Sequence, residues 1–274
     1  IDGCYSCHEP DALYPTPRGL LDKLRTFGLW HMLVRRLVGR SGIRNLAQRH
    51  LAGRLNMGDL VEELHRHRDR FYRDIRQDLI VESHGRWAWI LDAVPQAFVH
   101  HKIAAIVRDP RTWVVSWLNR GTQFGPKDLV PLIGRRLDPA MLGDHAWIDR
   151  WGSMTPFARN CWTWKTTYQM VSSFVERSPR ARLYRFEDLF HAEKHLTTMH
   201  ELIGFIAEWD DRCWTWRFDP RLYETRQNAS VPVVPGWREW TSEQAQELEA
   251  LCGPLMRKYG YGNEPEWKAL LSTS

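Results

Sequence analysis

The sequence predicts an α/β fold, a three-layer sandwich in which helices flank a central parallel sheet. Two short apolar runs of strand length, at 78–83 and 102–107, and a third strand candidate at 182–186 alternate with longer segments of helical spacing. Runs that are apolar throughout are typical of strands buried on both faces, as in parallel sheets covered by helices. The chain has 274 residues, of which 43% are hydrophobic, and this is enough for one large core. We therefore expect a single domain over residues 1–274.

Apolar spacing and end signals predict the helices between these strands. Residues 20–38 are rich in leucine, and residues 86–97 and 194–207 also have helical character. One face of the segment 60–76 is apolar, and it carries Leu60, Leu64, Phe71 and Ile75.

Capping signals place two more helices later in the chain. Thr155 and Pro156 fit the N-cap and the first position of one helix. Thr241 and Gln244 have the spacing of a capping box for the last helix, in which Pro254 predicts a kink.

The charge balance favours an anionic partner. The formal net charge is +5 and the isoelectric point is near 9.0, which attracts nucleotides and sulfated or phosphorylated molecules. No apolar run is long enough to predict a transmembrane helix. The five cysteines form neither a disulfide framework nor a zinc-site spacing, although Cys4-x-x-Cys7-His8 resembles a redox or haem-attachment motif. We expect reduced thiols, no metal and a cytoplasmic protein.

The junction after the 102–107 strand is a candidate phosphate site. Arg108 ends the strand, Asp109 suits an N-cap, and Pro110 suits the first helical position. A helix N-terminus attracts anions, and an arginine there offers a two-pronged contact to phosphate. Ser116, two turns along the same helix face, can donate one more hydrogen bond. The alternative is that Arg108 pairs with a carboxylate and Ser116 packs the helix.

The segment RDPRTWVVS, residues 108–116, resembles the 3′-phosphate-binding motif of sulfotransferases. The resemblance implies a P-loop NTPase-like fold and 3′-phosphoadenosine 5′-phosphosulfate as the sulfuryl donor. It implies that Arg108 and Ser116 contact the 3′-phosphate of that donor.

Three later segments resemble the same family in the same order. The segment 183–189 (LYRFEDL) is similar to a strand end at which a tyrosine lies near the adenine, a place taken here by Phe186. The segment 226–237 (RQNASVPVVPGW) resembles the loop that closes over the 3′-phosphate, which implies a binding role for Arg226. The segment 241–261 looks like the C-terminal helix of the family.

His84 is the candidate catalytic base, because it follows the 78–83 strand and a neutral imidazole can take the proton of a hydroxyl acceptor. Val81-Glu82-Ser83-His84 resembles the Lys-Thr-His of the family, in which the histidine is the base. Glu82 replaces the lysine that assists the leaving group. Glu82 could orient His84, act as the base itself, or point into the structure, so it stays a second candidate.

The Gly-containing loop that holds the 5′-phosphosulfate in sulfotransferases has no counterpart in this sequence. In the family it precedes a segment similar to Cys7-His8-Glu9-Pro10, and this chain begins with Ile1 rather than Met. We expect the loop upstream of Ile1, so that the domain is truncated at its N-terminus. A degenerate homologue that binds the donor poorly is the alternative.

The acceptor is predicted only by class, as a hydroxyl or amine of a small molecule, glycan or peptide. We expect residues 119–160 and the tryptophan-rich segment 161–165 to shape its pocket, unless these tryptophans fill the core. A nucleic-acid-binding module, a magnesium-dependent P-loop kinase and a non-catalytic homologue stay open as other classes. We expect no nucleic-acid partner, because the arginines of 62–76 alternate with acids and no recognition motif appears.

Overall fold

The computed structural model describes residues 1–11, 17–30, 42–130, 136–191, 193–217, 219 and 232–272. It is a mixed α/β structure, 59% helical, with two small parallel sheets. The chain divides into two compact units, Ile1–His101 with Val130–Ile148, and Lys102–Leu129 with Asp149–Ser274. The single domain stays a prediction. Among the described residues, no helix has the length and apolar character needed to cross a membrane.

The elements follow one another along the chain as strands separated by helices. The strands are β1 (Cys4–His8), β2 (Leu79–Ser83), β3 (Ile103–Val107) and β4 (Ala181–Arg185). The α-helices are α1 (Pro17–Phe27), α2 (Ile43–Leu51), α3 (Met57–Tyr72), α4 (Val94–Ala97), α5 (Pro110–Arg120), α6 (Pro139–Leu142), α7 (His145–Trp151), α8 (Pro156–Arg177), α9 (Phe186–Phe190), α10 (His195–Ala207), α11 (Ser242–Lys258) and α12 (Pro265–Ser272). Short 3₁₀ helices cover Gly85–Trp89, Leu91–Ala93 and Trp237–Glu239.

The four strands form two separate parallel pairs. In the first unit β1 pairs with β2, with Cys4 opposite Leu79 and His8 opposite Ser83. In the second unit β3 pairs with β4, and the register ends with Val107 opposite Arg185. Parallel pairing is therefore confirmed, whereas the single central sheet and its three layers stay predictions. The predicted 182–186 strand is shifted by one residue, because Phe186 already begins α9.

The core of the first unit lies along α2 and α3. Leu46, Leu60 and Leu64 have at most 1% of their surface exposed, and Phe71 stacks on Phe27 with ring centroids 5.6 Å apart. The apolar face predicted for 60–76 is the buried face of α3, although the helix ends at Tyr72. The predicted 20–38 helix extends in the structure to Phe27, and residues 31–38 lie outside the described part of the chain. The predicted 86–97 helix is divided into the two 3₁₀ helices and α4.

In the second unit, α8 packs against α5 and α11. Thr155 caps α8 by accepting a hydrogen bond from the Ala158 N–H, as its sequence predicts. The α8 residues Trp162 and Trp164 are fully buried, so these tryptophans fill the core. The capping box of Thr241 and Gln244 is present at the start of α11.

Pro254 lies inside α11, which continues in helical conformation to Lys258, and the kink at this proline stays a prediction.

Candidate functional site

The junction after β3 has the local structure that its sequence predicts. β3 ends at Val107, and Asp109 caps α5 by accepting the Arg111 N–H at 2.9 Å. Pro110 takes the first helical position. A backbone N–H at this position has no acceptor within the helix, so a proline there loses no hydrogen bond. Arg108 is thereby held between the strand end and the helix N-terminus.

The side chain of Arg108 is half-buried and lacks an ion pair within the described part of the chain. Its Nε donates to the Thr112 hydroxyl at 3.0 Å, and its guanidinium lies 4.9 Å from the ring centroid of Phe186. Burial lowers the pKa of Arg108, repulsion from Arg120 adds to this, and attraction to Glu187 opposes it. The guanidinium is thus available to a bound anion.

The contact between Arg108 and Phe186 follows from the strand register. Val107 lies opposite Arg185 in the parallel β3–β4 pair, so the next residue of each strand emerges at the same edge. The structure thus brings together two of the predicted donor-binding residues. The Phe186 ring also packs against Phe190, with centroids 4.7 Å apart.

Glu187 is a residue that the sequence-based interpretation missed. Its Oε1 accepts the Asp109 N–H at 3.2 Å, and its Oε2 accepts the hydroxyl of Tyr261. On the other side, Trp164 Nε1 donates to the Arg108 carbonyl at 2.9 Å. These bonds fix the backbone on both sides of Arg108. The acidic pair that directly follows β4 was the available sequence signal for Glu187.

Ser116 and Arg226 are the two other residues predicted to contact the donor. Ser116 is half-buried on α5, and within the described residues its hydroxyl has no hydrogen-bond partner. The structure therefore leaves this hydroxyl available for a ligand. Arg226 lies outside the described residues.

Arg111 is a structural arginine and not a second anion ligand. Its guanidinium donates to both oxygens of Asp109 and to both oxygens of Glu264, at 2.6–3.1 Å. It also lies 4.4 Å from the ring centroid of Trp237 and 5.1 Å from that of Trp267. Because the carboxylates of Asp109 and Glu264 balance its charge, Arg111 links the start of α5 to the C-terminal segments of its unit.

Glu82, one candidate base, points into the first unit. Its Oε1 accepts hydrogen bonds from Arg68 and, at 3.0 Å, from Trp87 Nε1. Its Oε2 accepts the Tyr72 hydroxyl at 3.4 Å. Only 7% of the Glu82 side chain is exposed. Of the three roles that the sequence left open for Glu82, these contacts favour the structural one.

His84, the other candidate base, has a polar neighbour at each ring nitrogen, and one of them is hydrogen-bonded to it. Its Nδ1 accepts the Arg86 backbone N–H at 3.0 Å, so in the neutral ring the proton resides on Nε2. Nε2 lies 3.4 Å from Oδ1 of Asp11, and the side chain is 6% exposed. The residue facing His84 is therefore Asp11, and no hydrogen bond joins His84 to Glu82 in the described part of the chain.

Asp11 is a buried carboxylate that connects several elements of the first unit. Its Oδ2 accepts the Ile43 N–H at 2.6 Å at the start of α2, and the same oxygen lies 3.9 Å from Arg68 and from His67. Burial acts to raise the pKa of Asp11, but the attraction of Arg68 and the contact with His84 outweigh it. They hold the pKa well below its usual range. Sequence reasoning missed this cluster, because its members are far apart in the chain.

We expect Asp11 to make the stability of the protein sensitive to acid. Because its pKa is lower in the folded state, its contribution is fully present above the unfolded value, about 3.9. That contribution is lost as the pH falls through the lower folded pKa. Urea unfolding measured between neutral and strongly acidic pH should therefore show a shallower decline for Asp11→Asn than for the wild type. Parallel curves for the two proteins would mean that Asp11 carries no such linkage.

Comparison of the chain with protein-family models, curated proteins and solved structures finds no match. Within the described ranges, no group of three or more histidine, cysteine or acidic side chains could hold a metal ion. The chemical character of the two strand ends, at Arg108 and at His84, is therefore the basis for a functional proposal.

Proposed function

We propose that this protein is a sulfotransferase that uses 3′-phosphoadenosine 5′-phosphosulfate as its donor. The observation that carries the proposal is the half-buried guanidinium of Arg108, which has no ion pair among the described residues and lies at the start of α5. An oxyanion placed there gains charge-assisted hydrogen bonds together with the favourable end of the helix dipole. The three-layer, P-loop NTPase-like fold belongs to the same proposal, and parallel pairing with a helix after each strand supports it.

The residues around Arg108 suit a nucleotide that carries a 3′-phosphate. The Ser116 hydroxyl can donate to the phosphate, and the partly exposed ring of Phe186 can contact the adenine by stacking. Phe186 lacks the hydroxyl that the tyrosine of the family has at this place, so the base contact is apolar. The order of the motifs from the 78–83 strand to the last helix also supports this family.

The proposed reaction is an in-line transfer. The acceptor oxygen forms a bond to sulfur while the bond from sulfur to the phosphate oxygen breaks, and adenosine 3′,5′-bisphosphate leaves. The acceptor proton passes to a base, for which His84 is the first candidate and Glu82 the second. Alignment and stabilisation of charge on the leaving oxygen account for most of the catalysis in such transfers. The acceptor is a hydroxyl or amine of a small molecule, glycan or peptide.

A nucleotide-binding homologue without transferase activity is the second candidate function. It is favoured by the engagement of both candidate bases, because each is nearly buried and already hydrogen-bonded within the first unit. Release of adenosine 3′,5′-bisphosphate from the donor in the presence of mixed hydroxyl acceptors distinguishes the two. Donor binding without any release supports the second function.

Arg108→Ala should weaken the binding of adenosine 3′,5′-bisphosphate far more than that of adenosine 5′-phosphate. Loss of a charge-assisted hydrogen bond to phosphate costs about 1.5–3 kcal/mol, which is roughly a 10- to 150-fold change in the dissociation constant. Isothermal titration calorimetry on folded protein measures both nucleotides.

Arg177→Ala is the matched control, because Arg177 is an exposed arginine at the end of α8 in the same unit. It should leave both affinities close to those of the wild type. An equal loss for the two nucleotides in Arg108→Ala argues against a contact with the 3′-phosphate.

A further inference from the structure

Thr112 holds one edge of the Arg108 guanidinium. Its hydroxyl lies in the first turn of α5, four residues after Arg108, and accepts the Nε–H of Arg108 at 3.0 Å. The same hydroxyl donates to the Asp109 carbonyl at 3.1 Å. A hydroxyl has a single proton, so the bond to Asp109 leaves Thr112 as an acceptor toward Arg108. Thr112 therefore fixes the guanidinium and has no proton left for a ligand.

The other contacts of this guanidinium leave its outer edge for an anion. Its Cζ lies 4.9 Å from the ring centroid of Phe186, a cation–π contact that occupies one face. Within the described residues, no hydrogen bond or ion pair reaches the terminal nitrogens Nη1 and Nη2. An arginine binds two oxygens of an anion either through Nε and one terminal nitrogen or through both terminal nitrogens. Because Nε is occupied by Thr112, the second, end-on arrangement remains.

We propose that Thr112 is a positioning residue that presents Nη1 and Nη2 of Arg108 to the 3′-phosphate of the donor for an end-on contact. This inference rests on the proposed function, and it adds the edge of Arg108 at which the phosphate binds. A guanidinium that is already oriented loses less side-chain entropy when the anion binds. Ser116, one turn further along α5, supplies the hydroxyl donor, because the proton of Thr112 is already used.

The bond to Thr112 also keeps Arg108 from pairing with Glu187. Oε1 of Glu187 accepts the Asp109 N–H at 3.2 Å, so this carboxylate lies beside the residue that follows Arg108. No ion pair joins Glu187 to Arg108 in the described part of the chain. A guanidinium released from Thr112 is attracted to this carboxylate, and a carboxylate paired with Arg108 competes with phosphate for the same N–H groups.

Thr112→Val tests the proposal, because it keeps the β-branched shape and removes the hydroxyl. The Asp109 carbonyl still accepts the Trp113 N–H at 2.9 Å, so the start of α5 stays hydrogen-bonded. In calorimetry on folded protein, the affinity for adenosine 3′,5′-bisphosphate should fall by about 2- to 13-fold, which corresponds to one ordinary hydrogen bond. The affinity for adenosine 5′-phosphate should stay the same. Thr112→Ser keeps the hydroxyl and should recover most of the lost affinity.

Thr198→Val is the matched control in the same unit. Thr198 donates to the Lys194 carbonyl at 3.2 Å at the start of α10, so valine removes a similar hydrogen bond from a different helix. Both nucleotide affinities should remain those of the wild type. In the Arg108→Ala background, Thr112→Val should cause no further loss, because the group that Thr112 orients is absent. A purely structural role of Thr112 predicts the same loss in both backgrounds.

The role of Thr112 is overturned if Thr112→Val binds adenosine 3′,5′-bisphosphate like the wild type or weakens both nucleotides equally. It is also overturned if Thr112→Ser binds as weakly as Thr112→Val. Inorganic phosphate is the second probe, and it separates this inference from the proposed function. If the wild type binds phosphate through Arg108 but not the nucleotide, the donor assignment fails, and the affinity of the Thr112 variants for phosphate decides their role. If the wild type binds neither probe, both proposals fail.

Discussion

Replacing Arg68 by methionine should lower the free energy of unfolding at neutral pH by about 3–5 kcal/mol. The Arg68 side chain is fully buried, donates to Glu82, and contacts His67 Nδ1 at 2.6 Å. Without it, Glu82 and Asp11 are two buried carboxylates that have lost their nearest full positive charge. The pKa of Arg68 is raised, because attraction to Glu82 and Asp11 outweighs the burial that acts to lower it. Urea unfolding followed by circular dichroism measures the loss.

Arg66→Met is the matched control on the same helix. Arg66 is 53% exposed and pairs with Glu62 and Glu63 at the helix surface, so its loss should cost only ~0.2–1 kcal/mol. The double variant Arg68→Met/Glu82→Leu should recover part of the loss, since it removes the unpaired carboxylate together with the cation. If Arg68→Met is no less stable than Arg66→Met, the buried network does not hold the first unit together.

The parts of the fold that the sequence predicted are those that local pattern determines. β2 and β3 lie in short apolar runs, β4 lies in a strand candidate between predicted helices, and the caps at Asp109, Thr155 and Thr241 use side chains that satisfy nearby N–H groups. β1 was missed because CYSCH is neither apolar throughout nor rich in β-branched residues. Tertiary context decides this strand, since Tyr5 and Cys7 pack against the cluster of Phe27 and Phe71.

The same distinction between local pattern and tertiary packing applies to the contacts of the candidate sites. The contact between Arg108 and Phe186 was within reach of the sequence, because residues that follow neighbouring parallel strands meet at one edge. The partners of His84 were not, because Asp11 is 73 residues away and no spacing rule joins them. The sequence shows the charge of Glu82, but which cation balances this charge depends on the tertiary structure, which brings Arg68 of α3 to it.

His84→Ala should slow sulfuryl transfer by about 10²–10⁴-fold, if the proposed function holds and His84 takes the acceptor proton. Its effect on donor affinity should be small, because the proposed donor contacts are Arg108, Ser116 and Phe186. Single-turnover measurements with saturating donor separate the rate of sulfuryl transfer from the affinity for the donor. The assay requires folded protein, since the imidazole is largely buried against Asp11.

Glu82→Gln is the matched comparison for the competing base. It keeps the shape of the side chain and removes its charge, so it should destabilise the protein through Arg68 and yet have the smaller effect on turnover. A fall in turnover that follows the fraction of folded protein reports this structural role. Loss of turnover in fully folded Glu82→Gln, with near wild-type turnover in His84→Ala, reverses the assignment and makes Glu82 the base.

The hydrogen bonds of His84 determine how it can act as a base. In the neutral ring only Nδ1 has a free electron pair, and this atom accepts the Arg86 N–H, so an acceptor hydroxyl must displace that bond to transfer its proton. Added imidazole should restore part of the rate of His84→Ala if the missing group is a base. Near wild-type turnover in both His84→Ala and Glu82→Gln means that neither residue takes the proton and that the acceptor transfers it elsewhere.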